Sequence, residues 1–194
     1  MAIFLLLGVR AMSITESTAH SFSLTAYGSC RVAAVILARN EERTIADAVR
    51  QARAFVHQVV VMDGHSTDET AAIARAAGAV VYVDNGKGKG AAIRQSIEIV
   101  DADIIVFMDA DGSHDPADIP RLALPVARGK ADLCVGSRFA GGSDELAVNF
   151  PQLVRSNGNI LMNIAINSRW HVNLSDTLNG FRAVRRDCSR TWPY

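Results

Sequence analysis

Short apolar runs and longer helical stretches alternate between residues 31 and 137, and this alternation limits the possible folds more than any other feature. The apolar runs predict strands, and the stretches between them carry Ala, Arg and Glu at helical spacing. The predicted strands cover 31–38, 57–63, 79–83, 103–109 and 132–137; the predicted helices cover 40–55, 66–78, 89–100 and 115–129, the last one shortened or kinked by Pro120 and Pro125. This order is typical of a parallel sheet with helices on both faces. We therefore predict a single Rossmann-like, three-layer α/β/α domain with a mostly parallel central sheet.

The first thirty residues differ from this pattern. The apolar run before Arg10 is too short to span a bilayer, and residues 11–29 are rich in Ser and Thr without a sustained period. We expect residues 1–30 to form a loose leader and the folded domain to cover residues 31–194.

Charge and cysteine content exclude several classes of protein. Lys and Arg number 20 and so do Asp and Glu, so no overall field attracts nucleic acid or an anionic membrane, and a charged ligand must be held locally. The three cysteines include no C-x-x-C pair, which argues against a disulfide framework and against a zinc site. We expect a reducing, cytoplasmic environment.

Polar and acidic residues follow four of the predicted strands. They are Arg39, Asn40 and Glu41 after the first strand, Asp63 to Asp68 after the second, Asp84 and the run GKGKG after the third, and Asp109 and Asp111 after the fourth. Each of these residues alone could be a helix cap or a turn residue. In parallel sheets, however, ligands bind at the carboxyl ends of the strands, so four such ends predict a binding site.

The stretch FMDADGSHDP indicates what the site could bind. Asp109 and Asp111 can hold a hard divalent cation, and Mg²⁺ or Mn²⁺ is commonly held by one or two carboxylates together with substrate phosphates. Lys87 and Lys89 lie in GKGKG just before a predicted helix, which suits a diphosphate, although a mobile turn with solvated lysines would have the same sequence.

Six motifs in order resemble those of the inverting family 2 glycosyltransferases, which have the GT-A fold. They are VAAVILARNEE, VVVMDGHSTDET, NGKGKGAAIRQS, IIVFMDADGSHDP, LCVGSRFAGGS and DTLNGFRAVRR, and together they run from about Arg31 to about Arg186. Within that family the motifs look most like the dolichyl-phosphate or polyprenyl-phosphate sugar transferase branch.

The resemblance implies roles on the donor side. Asn40 and Glu41 would contact the nucleotide, and Asp63 would bind the base or the ribose. Asp68 would open the next helix, where it could equally be a cap. The D-x-D of Asp109, Ala110 and Asp111 would hold the metal and the diphosphate of the sugar nucleotide; where the branch often has a glutamine two residues later, this chain has Ser113.

The resemblance also implies an acceptor side. Arg138 matches the arginine that faces an acceptor phosphate, Arg155 lies in the helix that adds a second basic contact, and Arg182 with Arg185 or Arg186 would be further phosphate partners. Asp176 would be the general base if the acceptor is a hydroxyl, whereas a phosphate acceptor is already anionic and needs no base.

The expected activity is transfer of a sugar, with inversion, from a GDP- or UDP-sugar to a polyprenyl phosphate at the inner face of the cell membrane, with Mg²⁺ or Mn²⁺. One alternative is a fragment that binds sugar nucleotide with little turnover, because the resembled branch continues into further helices. Another is a haloacid dehalogenase-type phosphatase, whose first motif is also an apolar run followed by D-x-D; that motif normally opens its domain, whereas three strand and helix units precede Asp109. GKGKG lacks the spacing of a dinucleotide-binding dehydrogenase.

Overall fold

The computed structural model describes residues 11–14, 22–136 and 179–187. Its strands are β1 (Ala11–Ile14), β2 (Val32–Ala38), β3 (Gln58–Asp63), β4 (Val80–Val83), β5 (Ile104–Asp109), β6 (Leu133–Gly136) and β7 (Arg182–Arg185). Its α-helices are α1 (Ile45–Ala52), α2 (Thr70–Ala76), α3 (Lys89–Ile99) and α4 (Ile119–Ala127), and short 3₁₀ turns cover Leu24–Tyr27 and Pro116–Asp118. Within these residues, no helix is both long enough and apolar enough to cross a membrane.

The described strands form one sheet in the order β1-β6-β7-β5-β2-β3-β4. Neighbouring strands are parallel except at β7, which is antiparallel to both β5 and β6. The predicted, mostly parallel sheet is therefore confirmed, with one reversed strand inserted beside β5.

The core has two layers because successive side chains of a strand point to opposite faces of the sheet. Ala34 and Ile36 of β2 pack on one face with residues of α1, α2 and α4, and Ala33 and Val35 pack on the other face with Ile97 of α3. β2, β3 and β5 are buried along almost their whole length, as strands that are apolar on both faces should be. The three-layer arrangement is confirmed.

The predicted boundary near Arg31 is wrong. β1 pairs with β6 from Ala11 to Ile14, and Tyr27 is only 2% exposed in the core. The Tyr27 hydroxyl donates to the Phe55 carbonyl at 2.9 Å, and the ring of Phe22 lies 5.1 Å from that of Tyr27. These structured segments are too short to show a period within a Ser- and Thr-rich stretch, which is why the sequence suggested a leader.

Two helices begin later than predicted. α1 begins at Ile45 and α2 at Thr70, because the residues before each helix form loops that bond to one another. Asn40 and His65, with φ of 56° and 59°, have left-handed backbone conformations that no helix continues through. Pro120 lies in the first turn of α4, where its missing N–H leaves no helical hydrogen bond unmade.

Candidate active site

A cleft of about 650 Å³ opens at the carboxyl ends of the parallel strands β2, β3, β4 and β5. Its lining includes Glu41, His65, Asp84, Lys89, Asp109 and Asp111. The sequence predicted a site at this edge, and the structure brings residues from all four strand ends into one cleft.

The D-x-D residues lie where β5 leaves the sheet. Asp109 is the last residue of the strand, and Ala110 and Asp111 follow on the turn; all three line the cleft. The Ser113 hydroxyl and backbone N–H both donate to the Asp111 carboxylate, the latter at 2.9 Å, and these hydrogen bonds hold the pKa of Asp111 below its ordinary value. Asp111 is thus an anion at any ordinary pH, as a cation ligand must be.

Lys89 faces Asp109 across the cleft. It is the first residue of α3, and its Nζ donates to Asp109 Oδ1 at 2.6 Å. Gly88, which precedes it, has a φ of 89°, a conformation that favours glycine and lets the chain enter α3 at this angle. Lys87, two residues earlier, is exposed, and its backbone N–H donates to Asn85 Oδ1 at 3.1 Å.

Asp63 ends β3 and is 4% exposed. Its Oδ2 accepts the Ser66 N–H at 3.2 Å, whereas its Oδ1 is buried without a hydrogen-bond partner among the described residues. A buried acceptor without a donor costs about 1–3 kcal/mol, so this oxygen is suited to receive an N–H or O–H from a ligand. Its neighbours Met62 and Gly64 line the cleft.

Asn40 and Glu41 occupy the loop after β2, and the structure gives them different surroundings. Asn40 Oδ1 accepts the Thr67 N–H at 2.8 Å, and the Asn40 N–H donates to the Ser66 hydroxyl at 2.9 Å, so this side chain joins two loops. Glu41 lines the cleft, and its Oε2 accepts the Thr44 hydroxyl at 3.1 Å. Of the two, Glu41 is the one whose side chain borders the cleft.

Asp68 bonds to Thr70, the first residue of α2, from the loop before the helix. Its Oδ1 accepts the Thr70 N–H at 3.0 Å and also the Thr70 hydroxyl. The hydroxyl hydrogen bond is the main reason that the pKa of Asp68 is lowered.

Three of the arginines expected near an acceptor phosphate, Arg182, Arg185 and Arg186, separate to opposite edges of the sheet. β7 runs antiparallel to β5, so Arg182 lies opposite Phe107 near the cleft while Arg185 lies opposite Ile104 at the far edge. Arg185 donates to Asp132 Oδ1 and to the Val126 carbonyl, and Arg186 donates to the Ile97 and Glu98 carbonyls. The expected phosphate role of Arg185 or Arg186 is therefore wrong, because both side chains bond to residues at the amino edge of the sheet, away from the cleft.

Arg182 pairs with Phe107 of β5, close enough to Asp109 for their charges to interact. Burial lowers the pKa of its guanidinium, and the negative charge of Asp109 opposes that shift. Its Nε is buried without a hydrogen-bond partner among the described residues. The remaining acceptor-side candidates, Arg138, Arg155 and Asp176, lie outside the described residues.

Sequence reasoning missed His114, which joins three strand ends. Its Nδ1 accepts the Asp109 N–H at 3.1 Å, so the ring proton is on Nε2, which donates to Asn179 Oδ1 at 3.2 Å. Asn179 Nδ2 in turn donates to the Gly136 carbonyl at 3.0 Å. The His114 ring also stacks on Phe181, with centroids 4.9 Å apart, and burial lowers the pKa of His114, which favours this neutral form.

Gly180 lies against the same carboxylate. A Cβ at this position would be 3.0 Å from Asp109 Oδ2 and 3.6 Å from Lys89 Nζ. The only sequence signals for this cluster were the histidine in FMDADGSHDP and the NGF of DTLNGFRAVRR, and nothing in either stretch points to the other.

The residues fit a divalent cation that is held partly by the protein and partly by a substrate phosphate. Asp109 and Asp111 supply two hard carboxylates, and no group of three or more His, Cys, Asp or Glu side chains that could hold a metal occurs within the described ranges. Ser113, at the place where the resembled branch often has a glutamine, bonds to Asp111 instead. Such a donor set suits Mg²⁺ or Mn²⁺ completed by substrate oxygens, and it is too small for a closed structural site.

Comparison with known proteins agrees with this fold. The model of the family described as Glycosyl transferase family 2 matches residues 33–192. The chain has the GT-A fold, and it belongs to glycosyl transferase family 2. The family assignment gives no support to a phosphatase.

Three similar proteins illustrate the relationship. The chain is 35% identical over 158 residues to the low-salt glycan biosynthesis hexosyltransferase of Haloferax volcanii, covering 78% of this chain and 38% of that protein. It is 38% identical over 91 residues to the undecaprenyl-phosphate mannosyltransferase of Micrococcus luteus, covering 45% of this chain and 34% of that one. Among solved structures, glucosyl-3-phosphoglycerate synthase from Mycobacterium tuberculosis, in complex with Mn²⁺, UDP-glucose and phosphoglyceric acid, matches with a TM-score of 0.66 and 25% identity over 93% of this chain and 65% of that chain. The chain thus spans well under half the length of these two curated relatives.

Proposed function

We propose that this chain binds a GDP- or UDP-sugar in the cleft and transfers the sugar, with inversion, to a polyprenyl phosphate at the inner face of the cell membrane. The observation that carries the donor half is the arrangement of acids in one cleft region. Asp63 offers a buried, unpartnered oxygen near one part of the cleft, and Asp109 and Asp111 line it together with Lys89. In a sugar nucleotide, the base or the ribose has N–H and O–H groups that would donate to Asp63. The diphosphate would lie beside Asp109, Asp111 and Lys89.

Different residues would contact different parts of such a donor. Asp63 would accept a hydrogen bond from the base or ribose, Glu41 would contact the nucleotide from the loop after β2, and Lys87 and Lys89 would approach the diphosphate. Asn40 would act from the same loop by fixing its position against Thr67. The solved complex of the mycobacterial synthase with Mn²⁺ and UDP-glucose supports a donor of this class.

The reaction would be one displacement at the anomeric carbon. A bond forms from an acceptor oxygen to that carbon while the bond from the carbon to the diphosphate oxygen breaks, and the diphosphate leaves with the electron pair. Asp109 and Asp111 would hold Mg²⁺ or Mn²⁺, which when bound neutralises negative charge on the leaving diphosphate. Lys89 and Arg182, both beside Asp109, add positive charge at the same place.

The acceptor half of the proposal rests on the mannosyltransferase of Micrococcus luteus, whose name gives undecaprenyl phosphate as its acceptor. Arg138 and Arg155 would bind the acceptor phosphate, and Arg182 would add positive charge close to Asp109. A phosphate acceptor attacks without a base, whereas a hydroxyl acceptor would require one, for which Asp176 is the candidate.

Two measurements test the two halves separately. Calorimetric titration with GDP- and UDP-sugars, with and without Mn²⁺, should show metal-dependent binding of one nucleotide, and Asp109→Ala should abolish it. Transfer of radiolabelled sugar from that donor should then be assayed with polyprenyl phosphate in detergent and with a water-soluble hydroxyl acceptor such as phosphoglyceric acid. Sugar only on the soluble hydroxyl would overturn the lipid acceptor, and the absence of any nucleotide binding would overturn the donor site. Binding without transfer to either would mean that this chain is a donor-binding part of a longer enzyme.

A further inference from the structure

Both oxygens of the Asp109 carboxylate have close neighbours. Oδ1 accepts from Lys89 Nζ at 2.6 Å, and Oδ2 lies close to Gly180, where an added Cβ would be 3.0 Å away. The Asp109 side chain is 25% exposed. A cation that binds Asp109 therefore competes with Lys89 for the same carboxylate.

Among the described residues, the charged groups that interact at this turn balance before any ligand binds. Asp109 and Asp111 are the acids of the D-x-D, and Lys89 and Arg182 are basic groups that interact with Asp109. His114, which bonds to the Asp109 N–H, is neutral as its hydrogen bonds show. A divalent cation alone would add two positive charges to a balanced cluster, and a diphosphate alone would add negative charge beside two carboxylates. The two ligands together restore the balance.

The Lys89 ammonium group can exchange the Asp109 carboxylate for a phosphate oxygen. Its side chain is 54% exposed, and it lies at the start of α3, where free backbone N–H groups also face an incoming anion. Ion pairs with this much exposure are weak, so a phosphate oxygen can replace Asp109 as the partner of the ammonium group at little cost.

We propose that Lys89 is the resident counter-ion of Asp109 and that it makes divalent-cation binding and nucleotide binding depend on each other. This inference rests on the proposed donor site and adds the order within it: the diphosphate draws Lys89 away and frees Asp109 for the cation. The cation and the nucleotide then occupy the cleft as a pair.

The test measures coupling rather than turnover. Mn²⁺ binding is followed by the electron paramagnetic resonance signal of free Mn²⁺, without nucleotide and with UDP or GDP, after correction for Mn²⁺ binding to the nucleotide in protein-free solution. The nucleotide that binds should raise the affinity for Mn²⁺ by about ten-fold or more, and Mn²⁺ should raise the affinity for that nucleotide by the same factor, because binding linkage is reciprocal.

Variants at Lys89 assign the coupling to this residue. Lys89→Met should raise the Mn²⁺ affinity of the nucleotide-free protein by about three-fold, as expected for loss of a weak competing ion pair, while it weakens nucleotide binding and reduces the coupling factor. Lys89→Arg should retain most of the coupling. Lys130→Met is the matched control, because it removes the same charge from an exposed residue before β6, at the opposite edge of the sheet, and should change neither affinity.

Each result is decisive. Equal Mn²⁺ affinity with and without a bound nucleotide would overturn the counter-ion role and, because linkage is reciprocal, the metal dependence of the proposed donor site, while nucleotide binding itself would stand. Unchanged or weaker Mn²⁺ binding by nucleotide-free Lys89→Met would overturn the counter-ion role alone and leave the proposed function standing, because it would show that Lys89 does not compete for Asp109. If neither UDP nor GDP binds, with or without Mn²⁺, both this inference and the proposed donor site are wrong.

Discussion

Both edges of the sheet carry aspartate and arginine side chains, and the two edges differ in whether these side chains are fully hydrogen-bonded. At the amino edge, Asp103 accepts the Arg31 N–H at 2.7 Å, and Arg185 is bonded to Asp132 and to a carbonyl. At the carboxyl edge, Asp63 Oδ1 and Arg182 Nε are buried without a hydrogen-bond partner among the described residues. Charged groups that are hydrogen-bonded within the chain stabilise the fold. Buried polar atoms beside a cleft that lack such a partner are available to bond to a ligand.

Two histidines make the comparison closest. His57 Nδ1 accepts the Val32 N–H at the amino edge, and His114 Nδ1 accepts the Asp109 N–H at the carboxyl edge, both at 3.1 Å. The hydrogen bonds are equivalent, but only the second fixes a residue of the D-x-D. Changes at the amino edge should therefore alter stability alone, and changes at the carboxyl edge should alter ligand binding.

The largest effect is expected from Asp109→Asn, paired with Asp132→Asn at the other edge. Loss of the Asp109 charge removes a proposed cation ligand and the negative charge beside Lys89 and Arg182, so metal-dependent nucleotide affinity should fall by about 100-fold. Asp132→Asn should lower the free energy of unfolding by about 1–2 kcal/mol, because it weakens a charged hydrogen bond to Arg185, and should leave nucleotide affinity unchanged. Calorimetry and urea denaturation measure the two quantities; equal losses of affinity in both variants would contradict the division between edges.

Asp63→Asn should have the next largest effect. An amide can still accept the Ser66 N–H but would present an NH₂ group in place of Oδ1, the proposed acceptor for a nucleotide N–H or O–H, so nucleotide affinity should fall by about ten-fold. The free energy of unfolding should change by less than about 1 kcal/mol, since no intramolecular bond to Oδ1 is lost. Asp103→Asn is the control, because Asp103 Oδ2 has a backbone partner. A large loss of stability in Asp63→Asn with unchanged binding would make Asp63 a structural residue.

The histidine pair should give a smaller and more selective effect. His57→Ala and His114→Ala should each lower the free energy of unfolding by about 1 kcal/mol, the usual contribution of one hydrogen bond. Only His114→Ala should also weaken metal-dependent nucleotide binding, by about five-fold, because the backbone of Asp109 loses its anchor. His114→Asn, whose amide oxygen can accept the Asp109 N–H, should restore most of that affinity. No difference between the Ala and Asn variants would show that the ring stacking on Phe181, not the hydrogen bond, is what matters.

A glycine pair should give the smallest effect on binding. Gly180→Ala brings a methyl group against Asp109 Oδ2 and should weaken Mn²⁺-dependent nucleotide binding by about three-fold with little change in stability. Gly78→Ala, with φ at +96° and a Cβ that would collide with the Arg53 guanidinium, should lower the free energy of unfolding by about 1–2 kcal/mol and leave binding unchanged. Thermal melts and calorimetry on both variants check this, and tighter binding by Gly180→Ala would contradict the close approach.

Much of the fold was predictable because the central strands are apolar on both faces. β2, β3 and β5 were predicted to within a residue or two, and the rule that ligands bind at the carboxyl ends of parallel strands located the cleft. β1 and β7 were not predicted, since each has only four residues and β7 has an arginine at both ends. Their place in the sheet is decided by pairing with β6 and β5, which no local pattern records.

The position of the acids at the carboxyl edge of the sheet was predictable, but their connections to other residues were not. Asp63, Asp109 and Asp111 were identifiable because each follows an apolar strand, whereas the link from His114 to Asn179 joins residues 65 positions apart. The direction of β7 decided the roles of Arg182 and Arg185, three positions apart on one strand, and sequence alone could not give that direction.

The hydrogen bond from Asn179 to Gly136 has a consequence for how much change the chain can tolerate between these two residues. It fastens the last described residue of β6 to the first described residue before β7, 43 positions later, beside the D-x-D. Because lengthening the segment between two joined points costs little conformational entropy, insertions there should leave the cleft with its present geometry. Variation in that segment and variation in the cleft can therefore proceed independently.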